Sequence, residues 1–148
     1  MKQEVLSSIK NLLVARVETA RKAMNEAQAA ANEEGKSSAG DKYETGRAMA
    51  QILRDMNALQ LSQALAALEA FEKIATPFPS DKIRAGSLIQ TQENWYFLGA
   101  GLGKTETPTL KNLFVLSLSA PLGQAFLGKK PGQEVQFMGK SLTILSVL

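Results

Sequence analysis

Two carboxylates three residues apart, Asp41 and Glu44, are the side chains in this sequence that best suit chemistry. Aspartate is a preferred helix N-cap, and a glutamate three residues later can reach back to the cap amide, so the pair predicts the start of a helix. The same carboxylates can supply part of a Mg²⁺ shell, which takes one or two acids and fills its other positions with water or substrate oxygens. Two acids cannot complete such a site, so in a metal-binding role the pair would help to complete a site inside another protein, and it could cap the helix as well.

Other kinds of site are poorly represented in the sequence. The chain has no cysteine and no histidine, which excludes disulfides, thiol nucleophiles, histidine acid–base chemistry and Cys/His zinc sites. The glycines between Gly99 and Thr105 suggest a phosphate-binding loop, but Leu98 stands where the first glycine of that motif is required. A proline-containing segment follows instead of a helix, so we interpret these glycines as a turn region.

Long stretches on both sides of the acidic pair predict two helices joined by a short loop. From residue 2 to 34 there is neither glycine nor proline, and apolar residues recur every three or four positions. These residues are Leu6, Ile9, Leu13, Val17, Ala20, Met24, Ala27 and Ala31. In the second stretch the apolar face consists of Met49, Ile52, Met56, Leu59, Ala66 and Ala70, with Gln63 between them. We expect an antiparallel hairpin about 50 Å long over residues 1–75, projecting with its acidic tip near residues 36–45.

The second half of the chain has a different pattern. The prolines of Thr76-Pro77-Phe78-Pro79 end the helical region and predict a domain boundary, with a second domain over residues 76–148. Its short apolar runs predict antiparallel strands, and Trp95, Tyr96 and Phe97 are expected to alternate in burial. The predicted strands cover 87–91, 95–100, 113–118, 134–137 and 142–147, with one short helix over 121–127. The fold class is therefore α+β.

Charge and hydropathy restrict the kind of partner and the cellular location that we expect. Residues 1–75 carry ten Lys/Arg and ten Asp/Glu, and this neutral arm favours a protein partner over free nucleic acid. The cations near the tip are Lys36, Lys42, Arg47 and Arg54. They are interleaved with acids and are interpreted as solvated helix charges, with a phosphate or RNA contact as the alternative. The sequence has no apolar run long enough for a membrane span and no secretory signal, so we expect a cytoplasmic protein.

Two separated strings resemble those of a known family. The first is Ser38-Ala39-Gly40-Asp41-Lys42-Tyr43-Glu44-Thr45, and the second runs from Leu116 to Val135 with the core Ser119-Ala120-Pro121-Leu122-Gly123-Gln124-Ala125-Phe126-Leu127-Gly128-Lys129-Lys130. Together with the domain order, they resemble the bacterial Gre transcript-cleavage factors. Those factors have an N-terminal antiparallel coiled coil and a C-terminal FKBP-like domain, and this resemblance implies the same fold here.

The resemblance also implies a function. In that family the hairpin enters the secondary channel of RNA polymerase, and its acidic tip helps bind Mg²⁺ for cleavage of backtracked RNA. By position, Asp41 and Glu44 would be the metal-binding, catalytic pair donated to the polymerase active site. Lys36, Lys42, Arg47 and Arg54 would contact the polymerase or the 3′ end of the nascent RNA. The C-terminal domain would dock on the channel rim through Pro121, Gly128, Lys129 and Lys130. Polymerase would remain the enzyme and would share the Mg²⁺, with none bound tightly by the isolated chain and no small-molecule substrate.

Some positions depart from the family pattern and keep two alternatives open. Thr45 replaces the asparagine that usually follows the second acid, and Ala48 stands where the family often has an aromatic residue. The segment from Gly86 to Leu110 is also divergent. One alternative is a secondary-channel regulator or inhibitor that blocks polymerase without cleavage. The other is an FKBP-like prolyl isomerase or chaperone with a helical interaction arm, although no apolar substrate cleft is evident from the sequence.

Overall fold

The computed structural model describes residues 1–34, 41–75, 78 and 80–148, and for residues 34 and 41–44 it describes the backbone alone. Within these residues the chain is α+β, as predicted, with a hairpin of long helices followed by a six-stranded mixed sheet. The helices are α1 (Lys2–Glu34), α2 (Asp41–Ile74) and α3 (Pro121–Phe126). The strands are β1 (Leu88–Thr91), β2 (Trp95–Leu98), β3 (Gly103–Thr105), β4 (Leu113–Leu116), β5 (Glu134–Phe137) and β6 (Lys140–Val147).

The chain divides into two compact units. The hairpin unit comprises Asn11–Leu68, and the sheet unit comprises Met1–Lys10 together with Glu69–Leu148. The start of α1 and the end of α2 therefore belong to the same unit as the sheet. Among the described residues, no helix is long and apolar enough to cross a membrane.

The predicted face of α1 is confirmed in the hairpin unit. Leu13, Val17, Ala27 and Ala31 are buried, and the intervening Ala20 and Met24 are half-buried. Val17 packs in one cluster with Leu61 and Ala64 of α2. Small side chains at many of these positions let the two helix backbones approach closely, which favours a stable helix pair.

The predicted face of α2 is wrong in the part of the helix that follows the acidic pair. Met49, Ile52, Met56 and Leu59, which we call the outer stripe, are each more than half exposed. Ala66 and Ala70 are exposed as well. The less exposed positions are Gly46, Ala50, Arg54 and Asn57, which share a helical face with the buried Leu61 and Ala64. The helix has two periodic faces, and the one with smaller and more polar residues is the less exposed one.

The sheet has the strand order β3-β4-β2-β1-β6-β5. Adjacent strands in this sheet pair antiparallel, with one exception. Strands β2 and β4 are parallel, and in this pair Trp95 lies opposite Leu113 and Leu98 lies opposite Leu116. The prediction of an all-antiparallel domain is therefore wrong at this pair. The connection from β2 to β4 has the dozen or so residues that a parallel crossover requires, and part of it forms the edge strand β3 where we expected only a turn.

The sheet unit has apolar contacts on both faces of its central strand. Tyr96 lies 5.6 Å from Phe114 and 5.1 Å from Phe126, measured between ring centroids. The next residue, Phe97, points to the opposite face and lies 5.8 Å from Phe71 at the end of α2. Both side chains are buried, so the expected alternation in burial is wrong because β2 is covered on both faces.

Candidate functional site

The acidic pair lies at the start of α2, where the sequence predicts it. The helix begins at Asp41, so Asp41 and Glu44 both belong to its first turn. Their side chains, and that of Lys42, lie outside the described residues, as does Lys36 entirely. The donor set is two carboxylates at a helix N-terminus, which suits one or two ligand positions of a Mg²⁺ ion and leaves the remaining positions to another molecule.

Arg47 and Arg54 follow the pair on the same face of α2, since seven residues make about two helical turns. Arg47 is exposed. The guanidinium of Arg54 donates two hydrogen bonds to Oδ1 of the neighbouring Asp55, at 3.0 and 3.2 Å. This adjacent carboxylate balances the charge of Arg54, so an RNA phosphate would have to compete with it.

The four predicted docking residues lie at the two ends of α3. Pro121 is exposed at the first position of the helix, where a missing amide hydrogen costs nothing. Gly128 follows the helix with a φ of 79°, a conformation that favours glycine. Its amide donates to the carbonyl of Ile83 at 2.9 Å, and the amide of Ile83 donates to the carbonyl of Lys129 at 2.8 Å. Two reciprocal hydrogen bonds therefore fix the turn after α3.

Lys129 and Lys130 differ in their surroundings. The side chain of Lys129 is half-buried, whereas that of Lys130 is exposed with its Nζ 4.0 Å from a carboxylate oxygen of Asp81. An exposed pair at this distance contributes little to stability and leaves the cation accessible. Pro121 and the Gly128–Lys130 turn are thus held by the same short helix but do not form one cluster.

A cavity of about 600 Å³ lies beside Pro121, and we call it the apolar cleft. Tyr96, Phe114 and Leu116 contribute to it from β2 and β4, and the first turn of α3 lines another side. The β5–β6 hairpin adds mainly apolar side chains, and a few polar groups complete the lining. Its members are Glu93, Asn94, Tyr96, Phe114, Leu116, Ala120, Pro121, Leu122, Phe137, Met138, Lys140 and Leu142. A mainly apolar cavity with a few polar groups is typical of sites that bind a ligand or a protruding side chain.

Met138 is the most exposed apolar residue that lines the cleft. Its side chain is 87% exposed, and its backbone φ of 50° is rare for a residue other than glycine. With Gly139 it forms the tight turn between β5 and β6. A flexible thioether at a cleft edge can adapt to differently shaped apolar partners.

Sequence reasoning identified Pro121 but missed the cleft. The missed residues with the largest apolar surface are Phe114 on β4 and Phe137 and Met138 on the last hairpin. They are distant in sequence and meet only through the strand order of the sheet. The one local signal was Met138-Gly139, an apolar residue in a turn where polar residues are usual.

A second polar feature of the sheet unit is a pair of cations around one aromatic ring. Nζ of Lys2 lies 4.4 Å from the ring centroid of Phe78, and Cζ of Arg84 lies 3.4 Å from the same centroid. Burial, and secondly the charge of Arg84, lower the pKa of Lys2 below its ordinary value of 10.5. In the described part of the chain this Nζ is buried without a hydrogen-bond partner.

No protein-family model matches this sequence, and a comparison with curated proteins gives no significant match.

Proposed function

We propose that this chain is a Gre-like accessory factor of RNA polymerase. In this proposal the sheet unit docks on polymerase through the apolar cleft, and the tip of the hairpin presents Asp41 and Glu44 to the polymerase active site. The factor is not itself an enzyme, because its two carboxylates need the metal and the RNA that polymerase holds. A bacterial cytoplasmic location follows from that partner.

The observation that carries the proposal is the position of the cleft. Pro121 and Leu122, which belong to the string that resembles the Gre family, line the cleft together with apolar residues of the sheet. A cavity of this kind can accept a few apolar side chains of a protein partner, and such buried anchors dominate the affinity of most interfaces. The cleft thus supports docking independently of the acidic pair.

The residues at the tip would hold the metal ion and position the RNA. Asp41 and Glu44 would help to hold Mg²⁺, which would supply water activation and charge stabilisation at the scissile phosphate. Asp41 and Glu44 would supply carboxylate oxygens to that ion from the first turn of α2. Arg47, about one turn beyond Glu44, and Arg54, about two turns further along α2, would contact the RNA backbone.

Docking is tested by a substitution in the cleft with a matched control. We expect Met138→Asp to weaken polymerase binding by about tenfold or more, because a carboxylate at this position cannot enter an apolar contact without losing its hydration. Leu145→Asp is the control, since Leu145 is exposed on β6 and does not line the cleft. Binding is measured by titrating labelled factor with core polymerase. Absence of binding by the wild type, or equal affinities of the two variants, would contradict docking through the cleft.

The channel regulator that blocks without cleaving remains a second form of this proposal. Thr45, which stands in place of the family's asparagine, favours it. Binding of polymerase together with unstimulated RNA cleavage would identify that form.

A candidate from another class is an FKBP-like prolyl isomerase or chaperone. The specific observation that favours it is again the apolar cleft, whose Tyr96, Phe114 and Phe137 are the kind of lining that accepts a proline ring. Prolyl isomerisation is slow without a catalyst, so a peptide assay is sensitive to it. No acceleration by the wild-type chain would eliminate this candidate.

A further inference from the structure

The outer stripe of α2 is an apolar surface that the hairpin itself does not use. Its four side chains are 65%, 56%, 57% and 59% exposed, in chain order from Met49 to Leu59. Leu53, which flanks them, is 52% exposed. Five large apolar side chains exposed to this extent present on the order of 500 Å² of surface, at the upper end of what a monomeric protein leaves in water.

The spacing of the stripe is that of a coiled-coil seam. Met49, Ile52, Met56 and Leu59 are separated by three, four and three residues, so they occupy successive a and d positions of a heptad pattern. The pattern continues at Gln63 and Ala66. A surface with this repeat is complementary to another helix with the same repeat, because each side chain inserts between four residues of the facing helix.

The residues beside the stripe argue against a membrane or nucleic acid as the occupant. The flanking e and g positions from Ala48 to Ala67 are Ala48, Leu53, Asp55, Gln60, Ser62 and Ala67. Only one of them is charged, and it is acidic. Amphipathic helices that bind anionic membranes carry lysine and arginine beside the apolar face, and nucleic-acid surfaces need a cationic footprint.

The same flanking residues favour a second copy of α2 in parallel orientation. In a parallel pair, Asp55 at a g position faces Gln60 of the second copy, and Gln63 at an a position faces Gln63 of the second copy. These two amide side chains can hydrogen-bond to each other and so fix the register. In an antiparallel pair centred on the stripe, the two copies of Asp55 would lie close together and repel each other.

We propose that the outer stripe is a dimer interface, in which α2 of one copy pairs in parallel and in register with α2 of a second copy. The pair buries the four stripe residues and Leu53 of both chains. This interface lies on α2 beyond the acidic pair, and its test does not depend on the function proposed above.

Disulfide cross-linking tests both the contact and its orientation, and the absence of native cysteines makes the result unambiguous. Met49→Cys places a thiol on the seam, and Gln51→Cys places one on another side of the same helix. We expect mild oxidation to cross-link Met49→Cys at least tenfold faster than Gln51→Cys. In a centred antiparallel pair, the two copies of residue 49 would be about 15 Å apart along the axis and would not cross-link. Equal rates, or no cross-linking of Met49→Cys, would overturn the proposal.

Sedimentation equilibrium gives a second measurement that needs no modification chemistry. We expect the unmodified chain to dimerise at concentrations of tens of micromolar, and Ile52→Lys to raise the dissociation constant at least tenfold. Gln51→Lys is the matched control and should leave the constant unchanged. Circular dichroism at a concentration where both variants are monomeric verifies that each is folded. A wild-type chain that stays monomeric to several hundred micromolar, or an Ile52→Lys variant with an unchanged dissociation constant, would overturn the proposal.

Discussion

At the scale of single residues, Gly123 determines how closely α3 approaches the sheet. A Cβ atom at this position would lie 2.5 Å from the carbonyl oxygen of Ser117 and 2.9 Å from Cδ1 of Leu98. The first of these neighbours is backbone and cannot move aside without shifting the segment that follows β4. This glycine therefore holds Pro121 and Leu122 in the position where they line the apolar cleft.

We expect Gly123→Ala to lower the free energy of unfolding by about 1–3 kcal/mol, the usual cost of forcing extra volume into a packed contact. Gly101→Ala is the matched control, because its Cβ would come no closer than 3.7 Å to Ser117. Urea denaturation of both variants measures the difference. Equal stabilities would mean that α3 does not pack as closely as the structure indicates.

A single residue, Lys2, makes the stability of the sheet unit depend on pH. Burial and Arg84 lower the pKa of Lys2 in the folded chain below the ordinary 10.5. The unfolded chain therefore binds more protons at this site between the two pKa values, and stability rises with pH across that interval. Lys2→Met has no titrating group there, so we expect wild-type stability to rise relative to that of the variant as the pH approaches 10.5.

Thermal unfolding of wild type and Lys2→Met at several pH values between 7 and 10.5 measures this difference. Arg84→Gln removes the second cause of the shift and should reduce the pH dependence without abolishing it. If the stabilities of wild type and Lys2→Met changed equally with pH, the lowered pKa of Lys2 in the folded chain would be contradicted.

At the scale of elements, the two faces of α2 have different roles. Leu61 is 8% exposed and packs in a cluster with Val17, whereas Leu59 of the outer stripe is 59% exposed on the same helix. We expect Leu61→Ala to cost about 2–5 kcal/mol of stability, as for other buried leucines. Leu59→Ala should cost about 0.5 kcal/mol or less when the chain is dilute enough to be monomeric.

Chemical denaturation at sub-micromolar concentration compares these two leucine variants, which have identical chemistry and nearly identical positions in the sequence. A larger loss for Leu59→Ala than for Leu61→Ala would mean that the outer stripe faces α1, as the sequence pattern alone predicts.

The same helix shows how far sequence reasoning reaches at this scale. For α1 the periodic residues from Leu13 to Ala31 lie on a single face, so the prediction of that face is correct. For α2 the larger side chains of the outer stripe mark one face, and Gly46, Ala50 and Asn57 belong to the other. Periodicity shows that a helix has an apolar face but does not show which neighbour covers it, and small residues can pack as well as large ones.

The sheet illustrates a related limit. The alternation of apolar residues predicts most strands within a residue or two, because alternation is a local property. The parallel pairing of β2 with β4 depends on the path of the connection between them, which no local pattern encodes. The burial of both Tyr96 and Phe97 follows from that central position in the sheet and could not be predicted from strand residues alone.

At the scale of the whole molecule, the candidate site has two parts, and only one of them can be predicted from the sequence. The acidic pair and Pro121 are visible in the sequence because each belongs to a short contiguous string. The apolar cleft is not, since Tyr96, Phe114 and Phe137 come from three strands that meet only in the folded sheet. The proposed function needs both parts, one to bind polymerase and the other to act in its active site.

The most direct test of this account is RNA cleavage in backtracked elongation complexes. Wild-type chain should shorten the transcript from its 3′ end in a Mg²⁺-dependent reaction. Asp41→Asn and Glu44→Gln keep the size of each side chain but remove its negative charge, and we expect each to reduce the cleavage rate by on the order of 100-fold. Glu33→Gln, near the end of α1, is the matched control and should cleave at the wild-type rate. No stimulation by the wild-type chain, or undiminished cleavage with the Asp41 and Glu44 variants, would contradict the proposed function.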